Sequence, residues 1–109
     1  MPKRDTLQGA LELMVLKVLS REEPLHGYAI MTAIEQIGGD ALRVEEGSLY
    51  PALRRMEDAG WLRAEWVGRP GGRRARVYEL TRAGRKRLTA AESQWYAATA
   101  AVNRVLKMA

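Results

Sequence analysis

Hydrophobic spacing changes character once along this chain, and that change limits the fold more than any other feature. Residues 61–68, WLRAEWVG, and 74–80, RARVYEL, alternate with a period of two around the turn-forming run RPGGR. Leu62, Ala64 and Trp66 point one way and Arg63, Glu65 and Val67 the other, the pattern of a β-hairpin. The other regular segments run at helical spacing, three before the hairpin and one after it.

The first helical segment is TLQGALELMVLKVLS, with Thr6 as its expected N-cap. Leu7, Leu11, Met14 and Val18 form one stripe, and Leu13, Leu16 and Leu19 a second, narrower one. A helix apolar on two faces must bury both. One face can meet its own domain, and the other calls for an extra partner. REEPLHG interrupts the pattern with Pro24 and Gly27. HGYAIMTAIEQIGG then reads as a second helix, with Ile30, Ala33, Ile34 and Ile37 as its buried face.

The third helix lies in GSLYPALRRMEDAGWL, residues 47–62. Leu49, Leu53 and Met56 make its inward stripe and Gly60 stops it. Pro51 is tolerated because the first-turn N–H groups have no intrahelical acceptor. After the hairpin, residues 81–109 read as one long helix starting near Thr81. It carries two series at heptad spacing: Leu88, Trp95 and Val102, and Ala91, Ala98 and Val105.

Three helices followed by a hairpin predict a winged helix-turn-helix, mainly α with a small β-hairpin. The expected division is a DNA-binding domain over 1–80 and a C-terminal dimerisation helix over 81–109. The dimer seam is expected from Leu13 and Leu16 of the first helix with Leu88, Ala91, Trp95, Ala98, Val102 and Val105 of the last. A last helix folded back on its own domain is the alternative.

Composition narrows the function classes. The chain has 109 residues, one domain's worth, with 18 basic against 13 acidic side chains, and fourteen of the basic ones are arginine. Arginine's planar fork of donors suits phosphate and guanine edges. One histidine, no cysteine and no paired-acid signature leave little catalytic material, so no enzyme is expected. Ser48 has no base at motif spacing, and RPGGRR lacks the lysine-serine ending of a phosphate loop. No metal and no cofactor are expected. No apolar run approaches the roughly 18 residues of a membrane span, and no export signal is apparent, which points to the cytoplasm.

With Leu49, Leu53 and Met56 inward, Ser48, Pro51, Arg54 and Arg55 face out and Tyr50 lies at the flank. A helix N-terminus attracts phosphate. Arg54 and Arg55 stand a turn further on, where they either meet DNA or pair with Glu57 and Asp58 on a solvated face. The hairpin tip adds Arg69, Arg73, Arg74 and Arg76 in or beside a glycine-rich loop. Such contacts give affinity and salt dependence rather than sequence choice. A winged helix used only for protein contact remains the rival, and it would expose an apolar or acidic recognition face.

HGYAI at 26–30, GSLYPALRRME at 47–57, GWL at 60–62 and R-x-Y-x-L-T-x-A-G-R at 76–85 form an ordered set. In it the chain resembles the PadR family of bacterial transcriptional regulators, in its small subfamily with one long C-terminal helix. The resemblance implies a homodimer that binds a near-palindromic operator, usually to repress. It implies that Ser48, Tyr50, Pro51 and Arg54 match the DNA-reading segment and that His26 and Tyr28 match the entry of the second helix. Some small members bind flat aromatic molecules between tryptophans at the dimer centre, and Trp95 is the corresponding residue for such a ligand.

Overall fold

The stripe Leu49, Leu53 and Met56 goes inward: each is fully buried, with Ala52 beside them. The structure is a computed structural model that describes residues 6–68 and 71–108, with side chains from residue 9 onward. The elements are α1 (Thr6–Arg21), β1 (Leu25–His26), α2 (Gly27–Gly38), a 3-10 turn (Gly39–Ala41), α3 (Glu46–Asp58), β2 (Leu62–Gly68), β3 (Arg74–Leu80) and α4 (Arg82–Leu106). The side chains of the expected cap Thr6 and of Leu7, and the wing residue Arg69, lie outside the described set.

The core is built where α1, α2 and α3 meet. Val15, Leu16 and Leu19 of α1 close on Ile30 and Ile34 of α2 and on the α3 stripe. Neither of the two stripes expected on α1 is by itself the inward line. Leu11, Val15, Leu16 and Leu19 face the core, while Met14, Val18 and Leu13 are only partly covered. At about 100° per residue the two expected stripes lie on nearly opposite sides of the helix, and the inward line runs between them. Ile37 departs further from expectation. It is 81% exposed, because α2 ends at Gly38 and its last turn overhangs the core.

The sheet has three strands rather than two, in the order β1-β3-β2, all antiparallel. The extra strand is the two-residue β1, in which Leu25 pairs with Tyr78 and His26 with Val77. Two residues are too few to show a period, which hid it from the sequence. In the hairpin, Leu62 pairs with Leu80 and Trp66 with Arg76. Glu23, just before β1, fastens this sheet to the last helix. Its carboxylate accepts from the Leu80 N–H at 2.8 Å and pairs with Arg85.

Gly60, at φ 85°, ends α3 in a left-handed conformation open to glycine, and the Trp61 N–H caps the Met56 carbonyl at 3.0 Å. Thr81 starts α4. Its hydroxyl accepts from the Gly84 N–H at 3.0 Å and donates to the Gly60 carbonyl at 2.6 Å. Gly84 is more than a tolerated residue of a first helical turn. A Cβ there would fall onto the backbone carbonyl oxygen of Trp61, so α4 passes the residue just before β2 at a distance only glycine allows.

The first half of α4 packs on the domain through Gly84 and Leu88, and Glu92 pairs with Lys17 of α1 at 3.0 Å. The second half leaves it. Tyr96, Val102, Val105 and Leu106 are all more than half exposed, and the described residues extend 63 Å along the longest axis. Two residues expected at the dimer seam are consumed within the single chain. Leu16 is 1% exposed and Leu88 8%, so both belong to the domain's own core.

Candidate nucleic-acid interface

Amphipathicity aims α3. Because Leu49, Ala52, Leu53 and Met56 take the inside, Ser48, Tyr50, Pro51 and Arg54 are left on the outside, and all four are exposed. Arg54 lies loosely beside Asp58, 3.7 Å away, and its side chain is 78% exposed. An ion pair in that setting is weak and easily exchanged for a phosphate. The N-terminus of α3 is less hospitable to anions than its dipole alone would make it. Glu45 is the N-cap residue and Glu46 opens the first turn, so two exposed carboxylates share that end. Any phosphate binding therefore falls to hydroxyls and arginines further along.

Arg55 departs from its expected place. Its Nε lies 3.5 Å from a carboxylate oxygen of Glu12, a residue of α1 that is only 4% exposed. One helical position, about 100°, separates Arg55 from Arg54, enough to carry it off the open face and onto the α1 side. Arg55 neutralises a buried carboxylate, while its side chain stays 44% exposed.

His26 and Tyr28 stand where β1 runs into α2. His26 is the N-cap of α2, its Nδ1 accepting from the Ala29 N–H at 3.2 Å, which leaves Nε2 as the ring's donor. The Tyr50 ring lies across the start of the same helix, where a side chain at position 27 would meet its Cε1 at 2.6 Å. His26, Gly27, Tyr28, Tyr50, Arg76 and Tyr78 line one shallow depression. Tyr50, Arg54, Trp66, Arg76 and Tyr78, with the acids Glu57 and Asp58, line the next. The two share Tyr50, Arg76 and Tyr78, so the start of α2, the open face of α3 and the root of the wing form one continuous surface. Burial pushes the Tyr78 phenol above its ordinary value.

The wing completes that surface. Arg73 and Arg74 are exposed at its tip. Arg76 donates to Glu57 of α3 at 2.7 Å, which ties the wing to the helix. Arg74 and Arg76 both lie over the Trp66 ring, 5.0 and 5.3 Å from its centre. Trp66 is the residue that sequence patterning passed over. Its alternation placed it on a strand face, but only the register, which sets Trp66 opposite Arg76, brings it to the arginines.

A second concave region lies between α1 and α4, lined by Leu13, Leu16, Trp61, Arg87, Ala91, Trp95 and Ala98 among others. It gathers five of the residues expected at a dimer seam. Trp61, also missed in the sequence, lies there under the Arg87 guanidinium at 4.8 Å.

A helix-turn-helix with a three-stranded sheet and wing defines a winged-helix protein of the transcriptional-regulator class, and solved structures share this fold. A PadR-like transcription factor from Bacteroides fragilis is 30% identical, with 91% of this chain and 92% of that one covered at a TM-score of 0.75. A PadR-like regulator from Bacillus cereus is 28% identical, with 94% and 97% covered at 0.76. The model of the transcriptional regulator PadR-like family matches residues 15–90. The chain belongs to that family, whose members are transcriptional regulators and not enzymes. It is also 45% identical over 78 residues to a 37.1 kDa protein of a Streptomyces fradiae transposon, spanning 71% of this chain and a fifth of that protein's length. Among the described residues no helix is long and apolar enough to cross a membrane, and no cluster of metal-ligating side chains occurs.

Proposed function

We propose that the protein is a homodimeric repressor that binds near-palindromic operator DNA in the cytoplasm. Each α3 enters a major groove with Ser48, Tyr50, Pro51 and Arg54 toward the DNA, and each wing holds the flanking backbone with Arg73 and Arg74. The two half-sites then lie about 34 Å apart, one turn of the duplex. The observation that carries this is the continuity of the surface: one groove runs from the exposed face of α3 past Arg54 to Trp66 and Arg76 of the wing. A protein-adaptor use of the same fold calls for an apolar or acidic recognition face, and the arginines here argue against it.

Dimerisation is supported by the outer half of α4, where Tyr96, Val102, Val105 and Leu106 are more than half exposed and Trp95 is 40% exposed. Ala91 and Ala98 on the same helix permit close approach of a second one. The region between α1 and α4, lined by Trp95, is the place we assign to a flat aromatic ligand.

The test is selection of bound duplexes from a random pool, with affinity then measured at rising salt. A palindrome is expected, with affinity falling steeply as salt displaces about six to ten phosphate contacts. A chain that retains no duplex at low salt is not a DNA-binding regulator.

A further inference from the structure

The arginines of the wing are not equivalent, and the difference turns on Trp66. In an antiparallel pair, directly opposed residues share a face, and so do residues two apart on one strand. Trp66 opposes Arg76, so Arg74 and Arg76 both lie on the indole's face of the sheet. That is the face turned to α3, because Arg76 bonds Glu57 from it. Two neighbouring guanidiniums repel, yet both rest over one ring, whose electron-rich face attracts cations.

Their charges are committed differently. Arg76 is two-thirds covered and its charge is answered by Glu57. Arg74 is exposed and, among the described residues, has no carboxylate partner. Its stem also leans across the strand pair, so that a Cβ on the opposing Gly68 would approach the Arg74 Cγ to 2.9 Å. A bare position 68 and an indole at 66 thus give an otherwise free side chain a preferred lie along the wing. The Trp66 side itself stays 53% exposed, which solvation alone does not favour for an indole.

We propose that Trp66 is a positioning residue of the wing, holding the Arg74 guanidinium toward the α3 side so that it meets the DNA backbone already ordered. The inference rests on the DNA-binding function proposed above. It gives Arg76 the separate task of anchoring the stack to the recognition helix.

The test has two arms. In the free protein, nuclear magnetic resonance reads the ring current on the Arg74 side chain. The Arg74 δ-protons are expected upfield in the unmodified protein and in Trp66→Phe, and at ordinary positions in Trp66→Ala. Absence of that shift from the unmodified protein removes the stack, and the proposal with it, whatever the DNA result.

In the second arm, affinity for a mixed-sequence duplex is measured at several salt concentrations, alongside thermal melting of each variant. Trp66→Ala is expected to weaken binding about two- to fivefold, the size of an exposed cation–π contact, and Trp66→Phe much less. Arg74→Ala should lower the salt slope by about 1, and adding Trp66→Ala to it should cost nothing further. An equal loss from Trp66→Ala with and without Arg74 overturns the proposal, leaving Trp66 either a contact of its own or a structural residue if melting falls in step. A protein that shows the ring-current shift but binds no duplex at low salt refutes the DNA-binding function instead, and Trp66 then positions Arg74 for nothing.

Discussion

The Arg55 guanidinium lies 3.5 Å from the carboxylate of Glu12, across the contact between α3 and α1. Two adjacent arginines on one helix therefore have unlike tasks, Arg54 outward to solvent and Arg55 toward a carboxylate that is almost wholly buried. Removing one partner of such a pair takes a compensating charge away from the other. Arg55→Ala is expected to lower stability by about 1–3 kcal/mol, read by urea unfolding. Arg54→Ala should leave stability within about 0.5 kcal/mol.

The same pair separates on DNA. If Arg54 reads bases, Arg54→Ala weakens operator binding more than binding to random duplex, by about 1–3 kcal/mol. An equal loss on both duplexes makes it a phosphate contact. Arg55→Ala, measured where the variant is fully folded, should change the two affinities little.

Gly84 offers a case where propensity and packing disagree. Alanine is the better helix former by about 1 kcal/mol. The added Cβ would meet the Trp61 carbonyl, a backbone atom that cannot swing aside. Gly84→Ala is expected to lose about 1–3 kcal/mol net, as overpacked sites do, seen as a fall in Tm. A rise in Tm would show that α4 can lift off Trp61 without penalty.

Tyr78 gives a pH dependence with a definite sign. Its folded-state pKa is raised, chiefly by burial, above the unfolded value near 10. The folded state then holds the phenol proton more tightly. That contribution is intact below about pH 10 and is lost as pH rises from the unfolded value through the folded one. The stability of the unmodified protein should therefore fall faster above pH 10 than that of Tyr78→Phe. Parallel curves for the two would remove the burial effect.

For the last helix, replacing Trp95 and Val102 together by glutamate should reduce the mass in light scattering from two chains to one. Both side chains are exposed in the single chain, at 40% and 54%, so the change should cost the domain little of its own stability. An unchanged mass would place the subunit contact elsewhere. Leu16 and Leu88 are unsuited to this test, since altering them would open the core.

The sequence made the order of the four helices and the hairpin plain because each carried its own period. The stripe of α3, the alternation of the hairpin, the stop at Gly60 and the start at Thr81 all stand where the pattern put them. What stayed hidden depended on contacts between elements. β1 is too short to display alternation, and Ile37 follows the helical period but lies beyond the edge of the core. The separate fates of Arg54 and Arg55 depend on α1 lying alongside α3, and the arginine stack on Trp66 depends on strand register. Periodicity along one element contains neither.

The hydroxyl of Thr81 joins the residue that ends α3 to the helix that leaves the domain. No slack chain separates the two, so the outer half of α4 behaves as a lever whose fulcrum is the stop of α3. In any pair of subunits held by those outer halves, the distance and angle between the two α3 helices would be a geometric property of α4 itself. Lengthening α4 by a few residues beyond Glu92 would then act as a gauge change on the operator, with every side chain of α3 left untouched.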